Sequence, residues 1–224
     1  MNKNNNKVFK TIGASNHTER ERQKEDFYAT DPIASVLLLS LEDFNGDGIL
    51  DNSIGEGHLM KPFIDKGFNV KGIDIINRGF PNTIIKNFIE DEAAESTMNW
   101  DIVFNPPYKH AEEFIRQSIK LAKDSRKICA FLRLQFLEGK KRRKLFEEYP
   151  PKTIYVSSSR ISCVKNADFK EMKTGSAIAH AWFIWEKGYK GETKVKWFNW
   201  YKKRKNKMQE QQHQIKIYGF LQKA

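Results

Sequence analysis

Two stretches of this chain combine residue types that can do chemistry. The first is Asn105-Pro106-Pro107-Tyr108, which ends the apolar run Ile102-Val103-Phe104. Consecutive prolines donate no backbone N–H and cannot extend a sheet ladder, so a strand must stop there. The stiffened backbone can aim two acceptors, the Asn105 side-chain oxygen and the Pro106 carbonyl, at one point. Two acceptors suit a planar NH2 group with two protons to give, and the Tyr108 ring offers a surface on which a planar substrate can stack. The plainer alternative is a proline-stiffened turn with an exposed asparagine.

The second stretch is Asp51-Asn52-Ser53-Ile54-Gly55-Glu56-Gly57, at the end of GILDNSI. Gly55 and Gly57 remove side chains where a ligand would touch backbone, and a helix starting at His58 would offer N–H groups. No Gly-Lys-Ser/Thr follows, so this is not a phosphate loop, and Met60 replaces the third glycine of a dinucleotide fingerprint. Alone, the turn is equally consistent with an ordinary tight bend. Asp74 ends the next strand about 20 residues on, where an acidic residue accepts both hydroxyl protons of a ribose. Phe88, after a third strand, could pack on an adenine ring or simply belong to the core.

Strands alternating with helices position these residues. Thr30 or Asp31 caps a helix with Pro32 in its first turn and the apolar stripe Ile33, Val36, Leu37. Strands are expected at 48–54, 69–75, 83–88, 101–104, 127–134, 153–156 and 176–186, and helices at 58–67, around Glu92 to Met98, at 111–123 and at 140–149. The pattern predicts an α/β protein, a right-handed, mostly parallel sheet of about seven strands with helices on both faces. Its strand ends would share one edge, where such sheets bind ligands.

The 224 residues suit one domain with small appendages. No apolar stretch has membrane-spanning length and the first residues lack the apolar core of a signal peptide, so a soluble, intracellular protein is expected. Cys129 and Cys163 lack zinc-site spacing, and no metal is expected. A net charge of +11 and a pI near 9.5 suggest a polyanionic partner, although a lysine-rich chain can also reflect A+T-rich coding. The charge is concentrated in Lys140-Lys141-Arg142-Arg143-Lys144 and Lys202-Lys203-Arg204-Lys205. Trp197, Phe198, Trp200 and Tyr201 beside the second block could stack bases or pack on the sheet edge.

Together, Asp51-x-x-x-Gly55-x-Gly57, Asp74 and Asn105-Pro106-Pro107-Tyr108 resemble the motifs of S-adenosylmethionine-dependent DNA adenine-N6 methyltransferases, over roughly residues 27 to 186. FYATDP, LRLQFLEGKKR and AHAWFIWEKG resemble the small phage-encoded or prophage-encoded members. The resemblance implies a Rossmann-like class I methyltransferase fold over residues 26–190; the polar, aperiodic residues 1–25 read as a flexible arm and residues 191–224 as a basic, aromatic tail. It further implies transfer of a methyl group from S-adenosyl-L-methionine to a flipped adenine of double-stranded DNA, in the cytoplasm of a bacterial host. Asn105, Pro106, Pro107 and Tyr108 would be catalytic. Asp51, Ser53, Gly55, Gly57, Asp74, Asn87, Phe88, Tyr28 and Thr30 would bind the cofactor, and Lys140, Lys141, Arg142, Arg143 and Arg160 the nucleic acid. Two positions depart from the family pattern: Asn52 stands where proline is common, and Asn87 where an aspartate usually meets the cofactor's adenine amine. The same motif also occurs in enzymes that methylate RNA bases or a protein glutamine. Asn87 and the altered turn leave room for a nucleic-acid-binding protein that has lost catalysis.

Overall fold

The alternation of buried side chains dictates a two-sided sheet. In the computed structural model, which describes residues 28–90, 99–161, 163–165 and 178–198, Ile102 and Phe104 face one apolar cluster while Val103 faces another. Residues 127–133 divide the same way: Ile128, Ala130 and Leu132 join the first cluster, Cys129 and Phe131 the second. Two-residue periodicity with both faces apolar is what a strand covered on both sides requires.

The elements in chain order are β1 (Tyr28–Thr30), α1 (Ile33–Leu38), β2 (Ile49–Asp51), α2 (Lys61–Asp65), β3 (Val70–Asp74), β4 (Ile84–Ile85), β5 (Asp101–Phe104), α3 (Ala111–Leu121), β6 (Lys127–Arg133), α4 (Arg143–Glu148), β7 (Thr153–Ser157), β8 (Cys163–Lys165), β9 (His180–Glu186) and β10 (Lys194–Phe198). The main sheet has eight strands among the described residues, in the order β10-β7-β9-β6-β5-β2-β3-β4. β1 and β8 pair separately, antiparallel, with Thr30 opposite Cys163. α1 and α2 cover one face and α3 and α4 the other. Among the described residues, no helix is long and apolar enough to cross a membrane.

Several elements differ from the sequence expectation. β9 runs antiparallel to both neighbours, β6 and β7. Trp182 and Ile184 face one cluster, Ala181, Phe183 and Trp185 the other, so its apolar run shows burial without showing direction. Lys194–Phe198, expected in the C-terminal tail, form an eighth strand parallel to β7. The strand expected over 83–88 shrinks to Ile84–Ile85, both exposed at the sheet margin. The helix expected around Glu92 to Met98 lies outside the described residues, as do the N-terminal arm and the second basic block.

The chain leaves β2 toward β3 and β4, then returns to β5 on the other side of β2. The sheet therefore has its topological switch point between β2 and β5, and the carboxyl ends of those two strands carry Asp51 and Asn105. α3 locks onto this point through buried residues at helical spacing, Ala111, Phe114, Ile115, Ser118 and Ile119. The one polar member, Ser118, receives the Asn52 amide at 2.9 Å and donates to the Phe114 carbonyl at 2.7 Å.

Candidate active site

A cavity of about 510 Å³ opens at the switch point, within the roughly 300–1,000 Å³ usual for small-molecule sites. Its wall includes Thr30, Asp51, Ser53, Asp74, Asn87, Phe88, Asn105 and Pro107. Eight residues singled out in the sequence thus meet in one place although they span 78 positions, from 30 to 107. Gly55, Gly57, Pro106 and Tyr108 are not in that wall. Tyr28 lies in β1, and its side chain is outside the described residues.

Asp51 is 1 % exposed, and its Oδ1 accepts the Ser53 N–H at 2.9 Å. Burial pushes its carboxyl up to about 8, the Ser53 N–H partly opposes this, and the nearby Asp74 carboxylate adds to it. A buried carboxyl in the wall of a cavity would be ionised most readily by a cationic ligand. Asp74 is only partly buried, and its two oxygens cap backbone N–H groups: Gly55 at 2.9 Å and Ile76 at 3.1 Å. Each oxygen keeps a second lone pair for a hydroxyl.

The glycine turn is explained mainly by its own packing. Gly55 and Gly57 have φ of 54° and 79°, and a Cβ on Gly57 would meet the Phe80 ring at 2.2 Å. The Gly55 N–H is taken by Asp74 and the Gly57 N–H by the Ile54 carbonyl. The helix expected at 58–67 begins only at Lys61 and has five residues. These backbone groups hold the turn together, and its Ile54, Glu56 and His58 line the cavity.

Asn105 is held from two sides. Its carbonyl accepts from Ser53 Oγ at 3.2 Å, and its amide Nδ2 donates to Thr30 Oγ1 at 2.8 Å, with Cys163 Sγ 3.9 Å away. Its Oδ1 is buried and has no hydrogen-bond partner among the described residues. Such an orphan acceptor costs free energy unless something supplies a donor. Thr30, expected at a helix cap or on the cofactor, occupies β1 and lines the cavity, while the Asp31 carboxylate accepts the Ile33 N–H at 2.9 Å just before α1.

Tyr108 packs against residues of β6 and β9, and its side chain also meets the Cys163 thiol. The Arg133 guanidinium lies 4.0 Å from its ring centroid, and its hydroxyl is 3.0 Å from His180 Nε2. His180 stacks on Phe131 with centroids 5.2 Å apart. Burial, aided by Arg133, pushes the imidazole down to about 4, so it is neutral at physiological pH. Arg133 and His180 are register partners on β6 and β9 at the carboxyl edge. Sequence reasoning missed both, because their relation to Tyr108 appears only once the antiparallel β9 is in place.

Phe88 is 1 % exposed and stacks on Phe114 at 5.6 Å, so it is both core and cavity wall. Asn87 is exposed, with its Oδ1 on the Ile89 N–H at 3.2 Å. The basic block divides. Lys140 and Lys141 are exposed on a 3-10 turn. Arg142 donates to the carbonyls of Glu138, Gln135 and Phe136 at 2.6, 3.3 and 3.4 Å and covers the Phe136 ring. Arg143 pairs with Glu147 at 2.6 Å, and Arg160 is exposed after β7. Among the described residues, no group of three His, Cys, Asp or Glu could hold a metal ion.

No protein-family model matches the chain, and no curated protein matches its sequence. Solved structures share its fold. A proposed class I S-adenosylmethionine-dependent methyltransferase of Listeria monocytogenes superposes with a TM-score of 0.53 at 13% identity, over 86% of this chain and 70% of that one. A proposed RNA methyltransferase of Pyrococcus horikoshii gives 0.53 at 14% identity, over 81% and 97% of the two chains. A proposed O-methyltransferase of Agrobacterium tumefaciens gives 0.53 at 13% identity, over 75% and 85%. The chain therefore has the Rossmann-like class I methyltransferase fold, with its cavity where that architecture binds ligands.

Proposed function

We propose that this chain is an S-adenosylmethionine-dependent methyltransferase acting on the exocyclic amine of an adenine rotated out of DNA. The observation that carries the reading is the buried, partnerless Oδ1 of Asn105, a residue in the wall of a cavity that also presents Asp51 and Asp74. The cavity residues suit that cofactor: a buried carboxyl favours an ammonium group, a strand-end aspartate with spare lone pairs favours a ribose, and Phe88 and Ile75 offer apolar surface for a purine. When bound, S-adenosylmethionine would supply a methyl group made electrophilic by its sulfonium.

The chain's own residues would handle the amine. The adenine nitrogen is a poor nucleophile because its lone pair is delocalised into the ring. Asn105 Oδ1 accepting one amine proton, and the Pro106 carbonyl the other, favours rehybridisation and aligns the nitrogen. No strong base is required, since the proton leaves after the nitrogen has become cationic. The Tyr108 ring would be the surface on which the base stacks, offsetting part of the few kcal/mol that unstacking costs. Lys140, Lys141 and Arg160, all exposed, are the phosphate-contacting candidates. Arg142 and Arg143 are already engaged with carbonyls and Glu147.

The test offers labelled cofactor with unmodified duplex DNA, RNA and protein extract in competition, followed by nucleoside mass spectrometry. N6-methyladenine in the DNA is expected; label in RNA or protein alone would replace the substrate, and no label at all would refute methyl transfer. Asn105→Ala should reduce transfer by about 100-fold or more, the usual effect of removing one preorganised polar group at the reacting centre, with cofactor affinity within about threefold. Equal loss of both would make Asn105 structural.

A further inference from the structure

We infer that Arg133 is an anion anchor, a guanidinium held ready for a backbone phosphate of the nucleic acid whose base enters beside Tyr108. The inference rests on the nucleic-acid reading of the substrate and deepens it, since it gives the sugar–phosphate chain a fixed contact within the site as well as on the exposed rim. Arg133 stands out by what it lacks. Among the described residues, Arg116 pairs with Glu112 and Glu148, Arg143 pairs with Glu147, Arg126 faces Asp101 at 4.0 Å, and Arg142 donates to three carbonyls. Arg133 meets the Tyr108 ring and hydroxyl instead, and no carboxylate among the described residues pairs with it.

Its place in the fold suits that task. Arg133 ends β6, the strand beside β5, so it stands at the carboxyl edge next to the strand that delivers Asn105. The side chain is partly buried: Nε is sealed off without a partner, whereas neither terminal nitrogen is, so the end of the fork reaches solvent. The groups around it do not cancel its charge. His180, its register partner on β9, is held neutral at physiological pH by burial and by the positive charges of Arg133 and Arg160. Burial keeps the Tyr108 hydroxyl and the Cys163 thiol protonated. One carboxylate acts on this cluster, Asp31 through Cys163, and its Oδ1 already accepts the Ile33 N–H. Two arginines therefore face one carboxylate, and a partly buried cation without a counter-ion is unfavourable until an anion arrives. A phosphodiester fits because a guanidinium presents parallel N–H donors to two phosphate oxygens. Resting 4.0 Å from the Tyr108 ring centroid fixes the plane of the fork beforehand, so less side-chain freedom is lost on binding.

The test measures affinity of the full-length protein for a fluorescent, unmodified DNA duplex by anisotropy across a salt series. Arg133→Gln should weaken binding about tenfold at low salt, the worth of a hydrogen bond to a charged group. It should also lower the slope of log affinity against log salt by about 0.9, one phosphate no longer neutralised, while calorimetric affinity for S-adenosylmethionine stays within about twofold. Arg133→Lys keeps the charge and should keep the slope. An unchanged slope in Arg133→Gln overturns the inference. So does an equal fall in Arg133→Lys, which would trace the effect to packing around Tyr108. If wild type leaves the duplex unbound, the same series on single-stranded RNA should show a fall of about 0.7, and binding to neither polymer overturns the phosphate site. The two readings fail separately. A slope that depends on Arg133 without methyl transfer to adenine would sink the proposed function and keep the phosphate contact; methyl transfer with an unchanged slope would do the reverse.

Discussion

Asp51 allows a test that needs no substrate. Burial holds its carboxyl at about 8 in the folded protein, against an ordinary value of 3.8. Between pH 5 and pH 8 the unfolded chain has released this proton and the folded chain retains it, so the folded state binds more protons and stability falls as pH rises. The slope for one such group is about 1.4 kcal/mol per pH unit, which accumulates to about 4 kcal/mol over that interval. Asp51→Asn cannot titrate. Urea unfolding of both proteins from pH 5 to pH 8 should therefore show the variant gaining on wild type by that amount, with the gain levelling off above pH 8. Other titrating groups are common to both proteins and cancel in the difference.

The same proton reports on the ligand. An ammonium group seated against Asp51 favours its ionised form, so binding S-adenosylmethionine at pH 6.5, where the ligand's amine is charged, should release close to one proton. Calorimetry in buffers of different ionisation enthalpy measures that number, and Asp51→Asn should release none. A stability difference independent of pH, together with no proton release, would show that Asp51 is already ionised in the folded protein and refute the argument from burial.

Three further outcomes follow from the geometry. Gly57→Ala places a Cβ against the Phe80 ring at positive φ and should cost about 1–3 kcal/mol in urea unfolding, with Phe80→Ala in the same chain recovering part of the loss. Lys140→Ala with Lys141→Ala should lower the slope of log affinity for DNA against log salt by about 0.9 for each phosphate no longer neutralised, without changing stability, whereas Arg142→Ala should cost about 1–2 kcal/mol of stability because its guanidinium holds three carbonyls. Ser118→Ala strands the Asn52 amide beneath the cavity and should destabilise by about 1–3 kcal/mol, read from the same unfolding curves; no change would mean Asn52 finds another partner.

The residues legible in the sequence are those whose role depends on where a strand ends. Asp51, Asp74 and Asn105 each follow an apolar run, and strands alternating with helices put their carboxyl ends on one edge. Roles set by partners far along the chain were not legible. Thr30 reads as a helix cap because Asp31-Pro32 follows it, and only the pairing of β1 with β8 brings it to Asn105. Tyr108 reads as an open stacking platform because Arg133 and His180 meet over it across an antiparallel pair, and strand direction leaves no mark on composition. Arg142 reads as one of five equivalent cations, although it spends its donors on carbonyls of the turn before it. Lys194–Phe198 reads as tail because its side chains are mostly exposed; the pairing that makes it a strand is carried by backbone, which is the same for every residue type.

These placements divide the site along the Asn105 strand. On the β2–β3 side lie Asp51, Asp74 and the cavity, a set suited to a cationic nucleoside; on the β6–β9 side lie Tyr108, Arg133 and His180, packed around one ring. Asn105 stands between them, its backbone carbonyl bonded to Ser53 on the cavity side and its amide to Thr30 on the separate small sheet. A division of this kind predicts separable losses. Substitutions on the β2–β3 side should weaken cofactor affinity and leave DNA affinity alone, and those around Tyr108 should do the reverse. Only Asn105 should reduce the rate while sparing both. If Arg133→Ala weakened the cofactor as much as Asp74→Ala does, the two halves would be one pocket, and the assignment of Tyr108 to the base would fall with the division.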